Sequence, residues 1–217
     1  MSLGPLIRRS ARYGGALLSV APLQFVAAMV LAQLAYPGYS DWSNVVSDLG
    51  GGRSPRALLF NGSLVVLGLL AIGGIYLARS AFRKGVTARG GIGLYALASL
   101  GALGVGLFPI GKPLHSDFAG LAFVTGGAAL LLLALGMLRD TRWDGYRLFT
   151  LLGGLVTFVG LALFDGPTTL GLGLGGAERL IIAPGLLWSF LAGVHLLRLP
   201  VYGGPRACVG DGSAGTT

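Results

Sequence analysis

The chain has 217 residues, of which 53% are hydrophobic and only 11% charged, and its mean hydropathy is +0.76. A soluble protein carries about 25% charged residues, so this composition excludes an ordinary water-exposed fold. A formal charge of +8 would suit nucleic acid, until the basic residues are sorted by position.

Arg8, Arg9 and Arg12 end a short N-tail, residues 1–12. Six runs free of Asp, Glu, Lys and Arg follow, at 13–40, 57–78, 90–111, 118–138, 148–164 and 180–197. Each reaches or approaches the ~17–25 apolar residues that cross a bilayer core. They predict an all-α polytopic bundle, a single transmembrane domain over 13–197, with spans at about 16–36, 55–78, 91–108, 113–138, 148–164 and 178–197. A C-tail, 198–217, completes the chain. The first run is too long for a signal peptide and no A-x-A site closes it, so it reads as an uncleaved span. Pro22, inside that run, should kink the helix and free a carbonyl that a neighbour must satisfy.

The first connection, YPGYSDWSNVVSDLGGGRSP from Tyr36 to Pro55, is amphipathic. Trp42, Val45, Val46 and Leu49 share one helical face, and Asp41, Ser43, Asn44, Ser47 and Asp48 the other. A short interfacial helix is expected there, capped by Ser40 or Asp41 and ended by Gly50 at C′. Ser54 and Pro55 then supply the N-cap and first residue of span two. In span three, Ala98, Ala102 and Gly106 form a small-residue face for close helix packing, as do Gly126, Gly127, Gly153 and Gly160 in spans four and five. In the second connection, Pro113 can start span four, with Lys112, His115 and Asp117 at its mouth. A histidine there is held neutral by the helix dipole unless a carboxylate joins it.

The third connection, DGPTTLGLGLGGAER, lacks the strand and Gly-Lys-Ser/Thr of a phosphate loop. Its glycines are expected to carry flexible backbone across the bundle mouth, leaving Glu178 in the first turn of span six. Pro184 should kink that span, and His195 near its far end reads as an interfacial anchor. Tyr36, Tyr39, Trp42 and Phe108 fit one aromatic belt, and Trp143, Tyr146 and Tyr202 the other.

Twelve basic and three acidic residues fall in the two tails and the second and fourth connections, a net +9. Four basic and five acidic residues fall in the other three connections, a net −1. By the positive-inside rule both termini are cytoplasmic. Such an inner rim faces anionic headgroups and needs no nucleic acid. A prokaryotic cell membrane is the expected location. The chain has only two Asn and two Gln, which fits a thermophile or a GC-rich genome.

With one cysteine, Cys208, the chain has no internal disulfide and no multi-thiolate metal site. His115 and His195 lie at opposite ends and cannot share a haem. The outer ends gather Asn44, Asp48, Lys112, His115, Asp117, Glu178 and Arg179, the candidate binding residues. Ionisable groups at a membrane boundary often mark function, and a structural ion-pair network is the plain alternative.

The run Ser47, Asp48, Leu49 and Gly50, then Pro55, Phe60 and Asn61, resembles the six-span family called domain of unknown function 998. Phe108, Pro109, His115 and Ala119 continue the pattern, and Gly176, Ala177, Glu178, Arg179 and Trp188 end it. More distantly it is similar to eukaryotic Frag/DRAM-type membrane proteins, some tied to lipid remodelling. The resemblance implies a lipid connection and assigns no reaction.

Two readings follow from the residues. In one, the protein binds lipid or serves as an accessory component beside other membrane subunits or a second copy. Arg179 and Lys112 would then meet phosphate while Asp48, His115 and Glu178 shape the mouth. In the other it is a lipid-modifying hydrolase, with His115, Asp48 and Glu178 as catalytic base or ligands of one divalent ion. One histidine with carboxylates is a thin zinc set, so no metal or cofactor is assigned. A transporter is disfavoured by the lack of mid-membrane charge and of an inverted repeat.

Overall fold

Long apolar runs have no internal reason to bend back except where glycine, proline or charge interrupts them, and the helices follow that punctuation. The computed structural model describes residues 5–198, with side chains from residue 9. Of the expected C-tail only Arg198 is described, as the end of the last helix; Tyr202, Arg206, Cys208 and Asp211 lie outside the described residues. Six helices, α1 Pro5–Leu34, α2 Ala57–Ala78, α3 Val86–Leu107, α4 His115–Met137, α5 Arg147–Asp165 and α6 Gly173–Arg198, contain most of the described chain. All six are long and apolar enough to cross a membrane, and there is no strand among the described residues.

Each helix packs on its neighbours in sequence, and α6 returns to α1, so the six form a closed ring. Short connections force sequential helices to run antiparallel. Leu69, Leu100, Leu135, Leu155 and Val159 point outward and stay exposed, as side chains facing hydrocarbon would. The ring closes tightly where α1 meets α6. A Cβ on Gly193 would lie 2.5 Å from the Gly15 carbonyl oxygen, so only glycine permits that approach.

Both prolines sit inside helices as expected, and the freed carbonyl of α1 has a partner. Pro22 has no N–H for the Leu18 carbonyl, four residues back. The Ser189 hydroxyl of α6 donates to that carbonyl at 2.8 Å. In α6, the Thr157 hydroxyl reaches the Ile181 carbonyl near Pro184, at 3.3 Å.

Several local expectations are corrected. The first connection holds no α-helix. Residues 41–44 make a turn, and a five-residue 3-10 segment, Val46–Gly50, follows. The bonds an α-helix would make internally go to α6 instead. Trp42 O accepts from Gly175 N, Asp41 O accepts from Arg179, and Val46 N donates to Glu178. Gly50 is inside the 3-10 segment, not at C′; a Cβ there would sit 2.2 Å from Asn61 Oδ1. Ser54 does not cap α2: its hydroxyl is buried without a partner, and the helix begins at Ala57. Pro113 does not open α4, because Leu114 turns left-handed at φ 69° and the helix starts at His115.

The third connection is shorter than expected, since α6 begins at Gly173, and Glu178 therefore lies beyond the first turn. Its glycines are not slack. A Cβ on Gly175 would lie 2.2 Å from the Asn44 carbonyl oxygen, so the helix start passes directly under the first connection.

The second aromatic belt is also corrected. Trp143 is 1% exposed, stacked on Phe82 at 4.8 Å between centroids and packed by Tyr146 and His195. These four rings plug the terminal end of the bundle, the end that carries the N-terminus and the α2–α3 and α4–α5 connections. His195 is part of that plug rather than an anchor at the surface, and its Nε2 is buried without a partner. The Asp140 carboxylate beside the plug is gripped by Arg142 at 2.7 and 2.8 Å. Burial pushes this acid up, but the Arg142 hydrogen bonds and charge outweigh burial and leave it below the ordinary carboxylate value.

Candidate functional site

At the opposite end, the first connection lies across the ring and is held by two consecutive residues of α6. Successive helical positions point about 100° apart, so Glu178 and Arg179 grip different parts of it. Glu178 is 4% exposed; its carboxylate accepts from the Val46 backbone N–H and from the Ser47 hydroxyl, the latter at 3.0 Å. Arg179 Nη1 donates to the carbonyls of Asp41 at 2.8 Å and Gly175 at 3.0 Å. Its Nη2 reaches the Tyr39 hydroxyl at 2.9 Å and pairs with the Asp41 carboxylate. Burial pushes the Tyr39 phenol above its ordinary value, against the pull of the Arg179 hydrogen bond and charge. The fork of the guanidinium, with donors in fixed directions, suits this multiple grip.

Within the loop, Asn44 ties both ends of the turn. Its Oδ1 accepts from Ser40 N at 3.1 Å and its Nδ2 donates to Asp48 at 3.0 Å. Asn61 of α2 donates to the Gly50 carbonyl at 3.0 Å. Val46 and Leu49 point down and are buried. The loop is thus a fitted cover with an apolar underside.

Beneath it lies a cavity of about 150 Å³ bounded by residues from all six helices and from the loop. Its wall is apolar: Phe25, Phe60, Leu64, Val105, Phe123 and Ile182 are typical. Glu178 is the one charged residue on the wall, with Ser47 beside it. Tyr95, Ser99, Thr157 and Ser189 supply hydroxyls deeper in. Ser99 and Thr157 donate to carbonyls of their own helices, and the Tyr95 ring leans on Trp188 at 5.1 Å. Ala98, Ala102 and Gly126 also line the cavity, while Gly126 faces Ala98 across the α3–α4 seam, where a Cβ would lie 3.7 Å from that of Ala98. Their small side chains leave it partly open, and all three keep partial exposure. The wall stops short of the aromatic plug.

A family model described as "Protein of unknown function (DUF998)" matches residues 19–195. The chain belongs to the DUF998 family. The DUF998 match takes in the covering loop, the whole cavity wall and both gripping residues. Comparison with curated proteins gave no match, and comparison with solved structures gave none.

The seven residues singled out from the DUF998 sequence divide into two groups. Asn44, Asp48, Glu178 and Arg179 come together through the loop and α6. His115 belongs to the α3–α4 turn, where its Nδ1 bonds the Phe108 carbonyl at 2.8 Å and Phe108 stacks on Phe118 at 5.4 Å. Lys112 and Asp117 are exposed and enter no salt bridge among the described residues. Of His115, Asp48 and Glu178, the trio that hydrolysis would use, only Glu178 faces the cavity. Among the described residues no three His, Cys, Asp or Glu side chains are placed to hold a metal ion.

Sequence reasoning missed Ser47 as the partner of Glu178, and the cavity hydroxyls altogether. Lone hydroxyls inside charge-free runs, such as Tyr95 and Ser99 one turn apart, were the available signal. Nothing local marks which of them face an interior space, since serine readily bonds its own helix.

Proposed function

We propose that this DUF998 protein is a lipid-binding membrane component that holds part of an apolar or amphiphilic molecule inside its helix ring. The observation that carries the reading is the cavity: apolar walls, partial opening and one acidic residue at its covered end. An engineered apolar cavity of similar size stays dry and binds benzene. A space of about 150 Å³ therefore suits a short chain segment or a small apolar body, not a whole phospholipid. The covered end is taken as extracytoplasmic, following the basic rim of the opposite connections. Arg179 is committed to the loop in this reading, so it positions the cover rather than meeting phosphate.

The test is mass spectrometry of organic extracts from protein purified in mild detergent. Wild type should retain a compound in near-stoichiometric amount, and Ala102→Phe, which fills the cavity, should lose it while keeping its helical signal. Equal retention by both proteins would place the compound outside the ring and overturn the reading. Labelling of a cysteine at position 115 from outside intact cells checks the orientation. Labelling from the cytoplasmic side alone would reverse it.

A further inference from the structure

Glu178 is a buried carboxylate with neutral partners only. Val46 N–H and the Ser47 hydroxyl donate to it, and among the described residues no Lys, Arg or His lies within salt-bridge distance. Its neighbour Arg179 is turned away and paired with Asp41. A carboxylate offers about four lone-pair positions, so two hydrogen bonds leave acceptor capacity, and Glu178 lines the cavity. The Arg179 charge acts on this carboxylate without contacting it, and a buried charge with no partner in contact is costly. A molecule that brings a positive donor to that point removes the cost. A phosphate or carboxylate head there would meet a like charge, and a plain hydrocarbon would leave the carboxylate unpaired.

We propose that the cavity takes an aliphatic primary ammonium, with the nitrogen on Glu178 beside Ser47 and the chain along the apolar wall. The proposal rests on the cavity reading above and adds the head-group chemistry. The ammonium can be carried by a free amine or by an amine-headed single-chain lipid. In either case N–H donors of the ammonium can meet the free lone pairs of the Glu178 carboxylate and the Ser47 hydroxyl oxygen, and the carbon chain replaces empty space against Phe60, Leu64 and Phe123.

The experiment titrates the full chain in detergent with hexylammonium, hexanoate and cyclohexane, following intrinsic fluorescence and thermal stability. Trp188 reports because it touches Tyr95 on the cavity wall. Hexylammonium should bind at least about tenfold tighter than either other probe, a difference of about 1.4 kcal/mol. Glu178→Gln keeps an acceptor for Val46 and should erase that preference while cyclohexane still binds. Stronger binding of hexanoate, or an undiminished amine preference in Glu178→Gln, would overturn the proposal. Binding of cyclohexane that is lost in Ala102→Phe, without any amine preference, would leave the cavity reading standing and remove the ammonium. If no probe binds wild type, both readings fall. Competition by sphingosine, a single-chain lipid with a primary ammonium and no phosphate, against hexylammonium supports a lipid-borne ammonium; hexylammonium binding untouched by it supports a free amine.

Discussion

Replacing Gly175 by alanine adds one methyl group at one of the tightest contacts between α6 and the covering loop. The new Cβ would lie 2.2 Å from the Asn44 carbonyl oxygen and 2.5 Å from that of Asp41. Both are backbone atoms, so no side chain can rotate away. The loop must lift, and lifting breaks Gly175 N–H to Trp42 O at 2.9 Å together with the bonds to Glu178 and Arg179. Overpacking alone costs about 1–3 kcal/mol, and each hydrogen bond lost adds about 0.5–1.5 kcal/mol. Counting only two of these bonds as lost, the variant should be destabilised by roughly 2–6 kcal/mol against wild type. Gly62→Ala is the matched control: nothing lies within 4 Å of a Cβ there, and alanine in a helix interior gains about 0.5–1 kcal/mol. Denaturant unfolding in detergent, paired with labelling of a cysteine at the buried position 46, reads both effects. Equal stability and equal labelling in Gly175→Ala and Gly62→Ala would refute the account of the cover.

Arg179→Lys keeps the charge but not the fork, so labelling at position 46 should rise several-fold; an unchanged rate would show the multiple grip to be unnecessary. Ser189→Ala leaves the Leu18 carbonyl without a donor and should cost about 1–3 kcal/mol. In a Pro22→Ala background the restored N–H serves that carbonyl, so the same substitution should cost much less. A double-mutant cycle measures the coupling, and additive effects would refute the link. Asp140 is held below its ordinary value in the fold. Its stabilising contribution is therefore full above the unfolded carboxylate value and fades as pH falls through the folded one. The stability gap between wild type and Asp140→Asn should shrink as the medium is acidified through that range, and a gap that widens on acidification would reverse the sign of the argument.

The helices were legible because apolar length is a local property, and Pro22 and Pro184 lie inside helices as their positions in apolar runs implied. What lay beyond reach was non-local. The loop from Tyr36 to Pro55 has an amphipathic pattern that reads as a helix. Its backbone donors and acceptors are drawn off by Glu178 and Arg179, more than 130 positions later. Trp143 carries the signature of a surface aromatic, and its burial depends on Phe82 and His195 from other helices. For the candidate site, Glu178 and Arg179 stood out as costly charges at a span end, and the structure joins them to Asn44 and Asp48. His115 stood out for the same reason but bonds a local carbonyl. Charge near a boundary identified the layer, while only helix rotation decides which members face inward.

The bond from Val46 to Glu178 joins residues 132 positions apart, which has a consequence for how the protein is made. At about 5–20 residues per second, the covering loop emerges some ~7–26 s before the segment that fastens it. During that interval the Val46 N–H and the Asp41, Trp42 and Asn44 carbonyls need water or a helper protein, and the interior has neither roof nor sixth wall. Synthesis stalled before Gly173 should therefore yield a nascent chain cut readily between α1 and α2, with protection arriving in one step as the last helix enters the membrane.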